Sequence, residues 1–335
     1  MKNEKNRVNE TNLFSHRSLG LRSKILICPL NWGLGHATRC VPIIRQLLVE
    51  DHEPVIVADG FPMSFLQKEF PTLRFIEFSS YSVYYAAGKS QVGAMLFNLP
   101  NIISGIIKEH IWLRNLLRTE HFDRVISDNR FGMWNKRVYS VYITHQLMVK
   151  MPEGLKFLEP FVHRLHKAFI SRYDECWIPD RAENGGLAGD LAHKYPLPIN
   201  ARFIGTLSRF QWSENLHSNL DYEIVGVLSG VEPTRTIFEE RLIQKFHGMP
   251  ERVLLVQGKP KTEKVEKQID NILLVSHLSD TEMSAVLLGA RKIICRSGYS
   301  GIMDLDALKC LHKAELIPTP GQTEQEYLAE IHSTK

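Results

Sequence analysis

Short, nearly continuous apolar runs recur along the chain, each closed by a glycine, proline or aspartate and followed by a stretch of different spacing. The first is Lys24–Cys28, stopped by Pro29. Pro42, Ile43, Ile44, Leu47 and Leu48 then fall at helical spacing, and a second run, Glu53–Ala58, ends at Asp59-Gly60. Strand, loop, helix and strand in this compass make a βαβ unit. Further strands are predicted at Asp123–Ser127, at Val138–Thr144 and at Glu175–Pro179. Around Pro196, Pro198 and Asn200 the pattern loosens as a linker would. A second series follows: strand Tyr222–Leu228, helix Thr234–Phe246, strands Arg252–Gln257 and Asn271–Val275, helix Thr281–Leu288 and strand Lys292–Cys295. Runs without polar alternation are what parallel strands covered on both faces require. The fold class expected is therefore α/β, with two doubly wound, Rossmann-like domains in tandem. Residues 1–23 read as a disordered leader, 24–200 as the first domain and 201–335 as the second.

Composition narrows the class. A chain of 335 residues suits two domains, and 44% apolar with 23% charged residues excludes a disordered chain, a collagen or a coiled coil. The formal charge of +4 is too mild to argue for nucleic acid. Five cysteines, an odd number without a C-x-x-C pair, suggest neither a disulfide framework nor a zinc knuckle. Reduced thiols in a cytoplasmic protein are the simpler reading. The leader mixes Lys2, Lys5, Arg7, Arg17 and Arg22 with Glu4 and Glu10, with no apolar core of a signal peptide behind them. The longest uncharged run, between Lys89 and Lys108, is broken by Asn98, Pro100, Asn101 and Ser104, so no membrane-spanning helix is expected.

Ligands of doubly wound folds sit beyond the carboxyl ends of the strands, which directs attention to a few loops. After the first strand comes Asn31-Trp-Gly33-Leu-Gly35-His36-Ala-Thr38-Arg39. Its glycines permit a sharp turn, and the helix that follows offers unpaired N–H groups and positive partial charge. Gly33-x-Gly35-x-x-Thr38 with Asp59 imitates a dinucleotide fingerprint. Thr38, however, stands where the third glycine belongs, and His36 and Arg39 bring bulk and charge where a pyrophosphate must meet bare backbone. His36 is the natural general base, since imidazole titrates near neutrality; its other reading is a residue that orders the loop. Ser229-Gly230-Val-Glu232-Pro233-x-Arg235 opens a helix and reads either as a phosphate cradle or as a plain turn. Arg296-Ser297-Gly298 precedes Asp304, whose carboxylate suits a ribose diol. Gln322, Glu324 and Gln325 follow a short strand and serve either a ligand or an exposed helix start. Asp128-Asn129-Arg130 and His145 also end strands; Asn129 and Arg130 read as acceptor-loop residues, and Asp128 or His145 is a candidate to assist or replace His36. No Asp-x-Asp pair stands in the loops themselves, Asp304-Leu-Asp306 lying on the helix that follows, and no metal site is expected.

Taken together, from about Lys24 onward, the Gly-x-Gly-His loop, Ser-Gly-x-Glu-Pro, Arg-Ser-Gly with Asp304, and Pro…Gln-x-Glu-Gln-Glu-Tyr resemble the glycosyltransferases of the GT-B fold. The MurG-type group of family 28 is the nearest in motif. The resemblance implies two domains facing a cleft, an acceptor in the first and a nucleotide-diphosphate sugar in the second, with inversion at the sugar and no further cofactor. It places Asp304 on the ribose, Arg296, Ser297 and Gly298 near base and phosphates, Gln325 near the donor sugar with Gln322 and Glu324 beside it, and His36 in the acceptor loop with Gly33, Gly35 and Arg39. It further implies a helix after Tyr327 crossing back to the first domain, and the chain stops soon after that residue. Rival readings are a nucleotide-sugar epimerase on the same scaffold and a non-catalytic nucleotide-sugar-binding paralogue. The acceptor expected is a glycan or a lipid-linked molecule. Leu99, Ile102, Ile103, Ile106, Ile107 and Ile111 recur at helical spacing beside Lys108, Arg114, Arg118 and Trp112. That stripe either packs on the first domain's sheet or makes a peripheral contact with the inner membrane leaflet.

Overall fold

The computed structural model describes residues 22–79, 91–151, 153–213, 216–259 and 263–333, with the backbone alone for 91–99 and 153. The leader through residue 21 and the side chain of Leu99 thus lie outside the described residues. The first half forms β1 (Lys24–Pro29), α1 (Gly35–Val49), β2 (Glu53–Ala58), α2 (Gly60–Glu69), β3 (Arg74–Glu77), α3 (Gln91–Thr119), β4 (Arg124–Asp128) and β5 (Tyr139–Ile143). A 3-10 turn over Glu153–Leu158 leads into α4 (Glu159–Ile170), then β6 (Glu175–Ile178), α5 (Asp190–His193) and β7 (Ala201–Phe203). Its strands make one sheet in the order β3-β2-β1-β4-β5-β6-β7, all parallel. The second half runs β8 (Ile224–Val227), α6 (Thr234–Phe246), β9 (Val253–Val256), β10 (Glu266–Ile269), β11 (Ile272–Val275), α7 (Asp280–Gly289), β12 (Lys292–Arg296), α8 (Tyr299–Ala307), β13 (Ala314–Ile317) and α9 (Thr323–His332). Its sheet order is β10-β11-β9-β8-β12-β13, parallel except for the edge hairpin β10–β11.

Two α/β units with parallel sheets are what the apolar runs predict. The boundary differs. β7 pairs with β6, so the first sheet extends beyond residue 200, and the crossing to the second lies between Phe203 and Ile224. Ala-Arg-Phe is too short a run to show as a strand in the sequence.

Alternate strand residues face opposite helical layers. Ile25, Ile27, Ile126, Val141 and Ile143 pack with Ala37, Ile43 and Leu47 of α1. Leu26, Cys28 and Val125 pack with Leu113 of α3, and Tyr142, Cys176 and Ile178 with Ile170 of α4. The helices α3 and α4 therefore share one side of the first sheet. The stripe on α3 divides between sheet and solvent. Ile103, Ile107 and Ile111 stay exposed. Ile102 and Ile106 are half-buried, and Trp112 packs on Phe78 with ring centroids 4.6 Å apart. Among the described residues no helix is long and apolar enough to cross a membrane. All five cysteines are buried and unpaired, and burial pushes the Cys28 and Cys295 thiols up to about 12.

One hydrophobic cluster spans both halves. It joins Tyr142, Leu147, Ile170 and Leu191 to Val225, Leu254, Val286 and Ile302. The last helix, α9, reaches the first half from within the chain: Tyr327 accepts a hydrogen bond from the Asp190 amide at 2.7 Å, and Leu328 is wholly buried in the shared cluster. Leu328→Ala should lower stability by about 2–5 kcal/mol, the usual cost of a cavity in a closed core. A urea unfolding midpoint equal to that of the unmodified chain would show that α9 does not strap the two halves together.

Candidate functional site

The site begins with a pairing register. Pro29 at the end of β1 lies opposite Asp128 at the end of β4, and the chain leaves β1 through the Gly33 turn into α1. Gly33 has φ of +99°, a backbone conformation that side chains disfavour. Gly35 opens α1 close against the second half: Ser300 Oγ donates to its carbonyl at 3.0 Å, and a Cβ there would stand 2.9 Å from the same oxygen. His36 and Arg39, three residues apart on α1, share one face of the helix and turn together toward Asp128. Arg39 holds that carboxylate through both Nε and Nη2, and His36 Nδ1 lies 2.9 Å from Asp128 Oδ1. Burial opposes ionisation of Asp128, but Arg39 and then His36 overcome it and hold the carboxyl down to about 2.

Nδ1 lies between an acceptor, Asp128 Oδ1 at 2.9 Å, and a donor, Arg39 Nη2 at 2.8 Å; because Arg39 Nη2 also donates to Asp128 Oδ1, we assign the tautomer with Nδ1–H on the carboxylate and the lone pair on Nε2. Burial lowers the His36 pKa, with Asp128 opposing and Arg39 adding to the fall, so the ring is neutral at pH 7. His36 is partly open to solvent, whereas Arg39 and Asp128 are buried.

His145 differs. Its Nε2 is 2.7 Å from Glu324 Oε1 of α9, its Nδ1 is 3.4 Å from Arg39 Nη1, and Tyr299 of α8 stacks on its ring at 4.2 Å. With both nitrogens engaged and one face covered, His145 is a cross-domain contact and not a substitute base for His36. Glu324, expected near a donor sugar, has its carboxyl on His145. Burial works against its ionisation, but His145, then Arg39 and His36, keep its pKa low. Tyr299 reaches on into the first domain, where its hydroxyl donates to the Pro179 carbonyl at 2.9 Å.

The second domain's charged candidates are turned inward. Arg235 donates to Glu232 at 2.7 Å and to Glu239 at 2.6 Å, so the arginine expected in a cradle is engaged within the chain, while Ser229 and Gly230 are exposed. Arg296 donates to the Pro318 carbonyl at 2.9 Å and lies over the Phe238 ring at 4.0 Å. Burial lowers its pKa to about 10, and Arg241 adds to the fall. It braces two loops. Ser297 donates to the Gln325 carbonyl at 2.7 Å, while the Gln325 side chain accepts from the Thr319 amide at 2.9 Å and donates to Gln322. Gly298 caps α8 with open space where a Cβ would stand. In the first domain Asn129 takes a positive φ of 55° and accepts from Tyr142. Arg130 is sealed under the sheet on Glu109 at 2.9 Å, so it is not part of an acceptor loop.

Asp304 is the exception among the carboxylates. It accepts from Ser208 at 2.6 Å, with Arg209 Nε at 3.9 Å, and burial raises its pKa to about 6 despite Arg209. Ser208 and Arg209 lie in the connection between the sheets and carry no motif; only their place just after β7 hints that they reach the site. Arg209 also pairs with Asp280 at 2.8 Å, and Arg45 of α1 reaches the same carboxylate at 3.0 Å.

Because Asp128 titrates well below a free carboxyl, its contribution to stability is complete above about pH 4 and fades as pH falls through about 2. Asp128→Asn strands the Arg39 charge and should cost about 3–5 kcal/mol at pH 7, with the deficit shrinking in acid. Chemical denaturation of both proteins from pH 7 to pH 2 reads this directly; a deficit independent of pH would refute the ion-pair account.

No protein-family model matches the sequence, and no curated protein matches it either. Solved structures do resemble the fold. The glycosyltransferase of kitacinnamycin aligns over 93% of this chain and 91% of its own, with a TM-score of 0.55 and 14% identity. CalG4, the calicheamicin glycosyltransferase, aligns over 93% and 88%, at 0.52 and 13%. UGT2 of Phytolacca americana, complexed with UDP-2-fluoro-glucose and pterostilbene, aligns over 92% and 83%, at 0.54 and 12%. At such identities the likeness is one of architecture: the chain has the two-domain GT-B fold of these glycosyltransferases.

Proposed function

We propose that the chain is a glycosyltransferase that moves a sugar from a nucleotide-diphosphate sugar to an acceptor hydroxyl, inverting the anomeric carbon without a metal. The observation that carries this reading is His36, a neutral imidazole at the head of α1 with Nδ1 on a buried carboxylate and Nε2 left as a base. In the proposed step the acceptor oxygen attacks the anomeric carbon as the bond to the diphosphate breaks. The hydroxyl proton passes to His36 Nε2, and the diphosphate leaves with the bonding electrons. With Arg235 and Arg296 engaged elsewhere, the leaving charge falls to backbone N–H groups at Ser229-Gly230 and at the starts of α6 and α8. Asp304 takes the ribose diol, and Gln322 and Glu324 border the sugar. The acceptor proposed is a lipid-linked or cell-envelope glycan met at the cytoplasmic face of a membrane. The epimerase reading draws no support from the structural neighbours, which include the kitacinnamycin and calicheamicin glycosyltransferases.

A melting-temperature screen across nucleotide sugars identifies the donor, since a ligand that binds only the folded state stabilises it. With that donor, His36→Ala should cut turnover by roughly 10²–10⁴-fold while donor affinity stays nearly constant. Turnover equal to the unmodified enzyme would take the base away from His36.

Asp304→Asn should separate stability from binding. The raised pKa means that the folded chain loses stability as pH climbs from about 4 through about 6. The asparagine variant should therefore be more stable above pH 6 by about 3 kcal/mol and equal below pH 4. It should nonetheless bind donor more weakly by about 1.5–3 kcal/mol, the scale of hydrogen bonds to a charged group. Unchanged donor affinity would remove Asp304 from the donor site.

A further inference from the structure

The carboxylates of Glu69, Asp280 and Asp304 face the guanidiniums of Arg45 and Arg209, where α7 and α8 close on the first domain and on the connection between the sheets. The cations are unevenly divided. Asp280, at the start of α7, receives both: Arg209 Nη1 at 2.8 Å and Arg45 Nη2 at 3.0 Å. Arg45 also pairs with Glu69 at the end of α2. Asp304 has Arg209 Nε at 3.9 Å and the Ser208 hydroxyl, which donates at 2.6 Å. Anions outnumber cations in this group, and the carboxylate left short is the one with the poorest cation contact, Asp304.

Arg209 is the group on which the division turns. Its side chain is 12% exposed, its guanidinium lies over the Phe210 ring at 4.7 Å, and its Nε makes no hydrogen bond among the described residues. A buried N–H without an acceptor is costly, and Asp304 Oδ2 stands about 1 Å beyond hydrogen-bonding distance of it. The backbone here is held on both sides. Arg45 Nη1 donates to the Arg209 carbonyl at 2.9 Å, and the Phe210 amide donates to Ser208 Oγ at 3.1 Å. What is left to vary is how the guanidinium is shared. Burial and Asp280 favour the neutral form of Asp304, and Arg209 and Ser208 the charged form. α1 meets α8 at Gly35 and Ser300, but its cation on this side, Arg45, ends on Asp280 and Glu69. Asp306, on the same helix as Asp304, is turned to Arg181.

We propose that Arg209 is a positioning residue of the donor site: its division between Asp280 and Asp304 sets whether Asp304 stands as the carboxylate that accepts the ribose hydroxyls. A neutral carboxyl spends one oxygen on its own proton and accepts two hydroxyls poorly. The inference rests on the reading of Asp304 as the ribose acceptor. It adds a residue outside both glycine-rich loops, in the crossing between the domains. Donor affinity then falls in acid, through the range in which Asp304 takes up a proton, and Arg209 fixes where that range lies.

The test reads Asp304 first without donor. In the full chain carrying 13C-labelled aspartate carboxyls, Asp304→Asn identifies the Asp304 signal, whose titration midpoint should lie at about 6. Arg209→Gln should raise the midpoint and Asp280→Asn lower it, each by about one pH unit, the low end of what a charge within about 4–6 Å does. Arg209→Lys, which keeps the charge, should move it less than Arg209→Gln. Damage to the fold would not send the two neutral variants in opposite directions. Midpoints that move the same way, or not at all, would overturn the proposal. Donor affinity, measured with the nucleotide sugar that the melting screen identifies, should follow the carboxyl. Asp280→Asn should bind about fivefold tighter than the unmodified chain at pH 5, and Arg209→Gln about fivefold weaker at pH 6, with the three proteins alike at pH 9. Donor affinity indifferent to pH, beside midpoints that shift as stated, would also overturn the proposal. It would do so through the donor reading of Asp304, since the hold of Arg209 on the carboxyl would stand.

Discussion

A carboxylate buried at the end of a parallel strand is stable only where cations meet it, and Asp128 imposes that demand on everything around it. Arg39 answers it with two hydrogen bonds, which fixes the first turn of α1 against β4 and therefore the shape of the glycine-rich turn before it. His36, one helical turn earlier, is carried onto the same carboxylate. The far edge of Arg39 meets His145, and His145 meets Glu324 in the other half of the chain. A line of polar contacts thus runs from the middle of one sheet to the last helix of the other domain. Only His36 of the first domain's trio is left facing solvent, which is the arrangement a base requires: fixed on one side, open on the other.

The two halves are held at this point by more than polar contacts. A cluster of apolar side chains continues from one sheet to the other, and Tyr299 and α9 of the second half are seated in the first. Relative movement of the domains about this end would have to open a packed core. The loops that border the site are braced from within for the same reason. Arg235, Arg296, Ser297 and Gln325 tie neighbouring turns together through carbonyls and carboxylates. Side-chain bracing leaves backbone N–H groups and helix starts as the surface presented to an anion, and such groups need no reorganisation when charge appears.

How far the sequence discloses this follows from burial. Strands covered on both faces, such as Ile25–Cys28 or Val253–Val256, are apolar throughout and legible. Edge strands are not: β10 is Glu-Lys-Gln-Ile, β3 is Arg-Phe-Ile-Glu, and neither has a continuous apolar run. His36, Arg39, Asp128 and His145 are legible as candidates because each follows a strand, and the fold brings all four together. Their division of labour is not legible, because it depends on which face of α1 turns to β4. Arginines in glycine-rich loops mislead for a related reason. A guanidinium suited to phosphate is equally suited to two carbonyls and a neighbouring glutamate, and only the folded chain distinguishes the two. The exposure of Phe157, Phe161 and Leu165 is hidden too, since their helical period is the ordinary signature of a core face.

The carboxyls of Asp128 and Asp304 show how one fold sorts a structural charge from an available one. Asp128 is wholly buried and Asp304 largely so, and burial acts on both in the same direction. Asp128 has an arginine gripping both of its oxygens and is driven to about 2; Asp304 has a serine hydroxyl and a more distant arginine shared with Asp280, and rises to about 6. The first is satisfied by the protein itself, so a ligand has little to add. The second keeps part of its desolvation cost unrelieved in the folded chain, and a donor of hydrogen bonds arriving from outside would relieve it. Unrelieved electrostatic cost inside a rigid frame is free energy that binding can recover, and this distinguishes a binding carboxylate from a structural one more surely than its position in a motif.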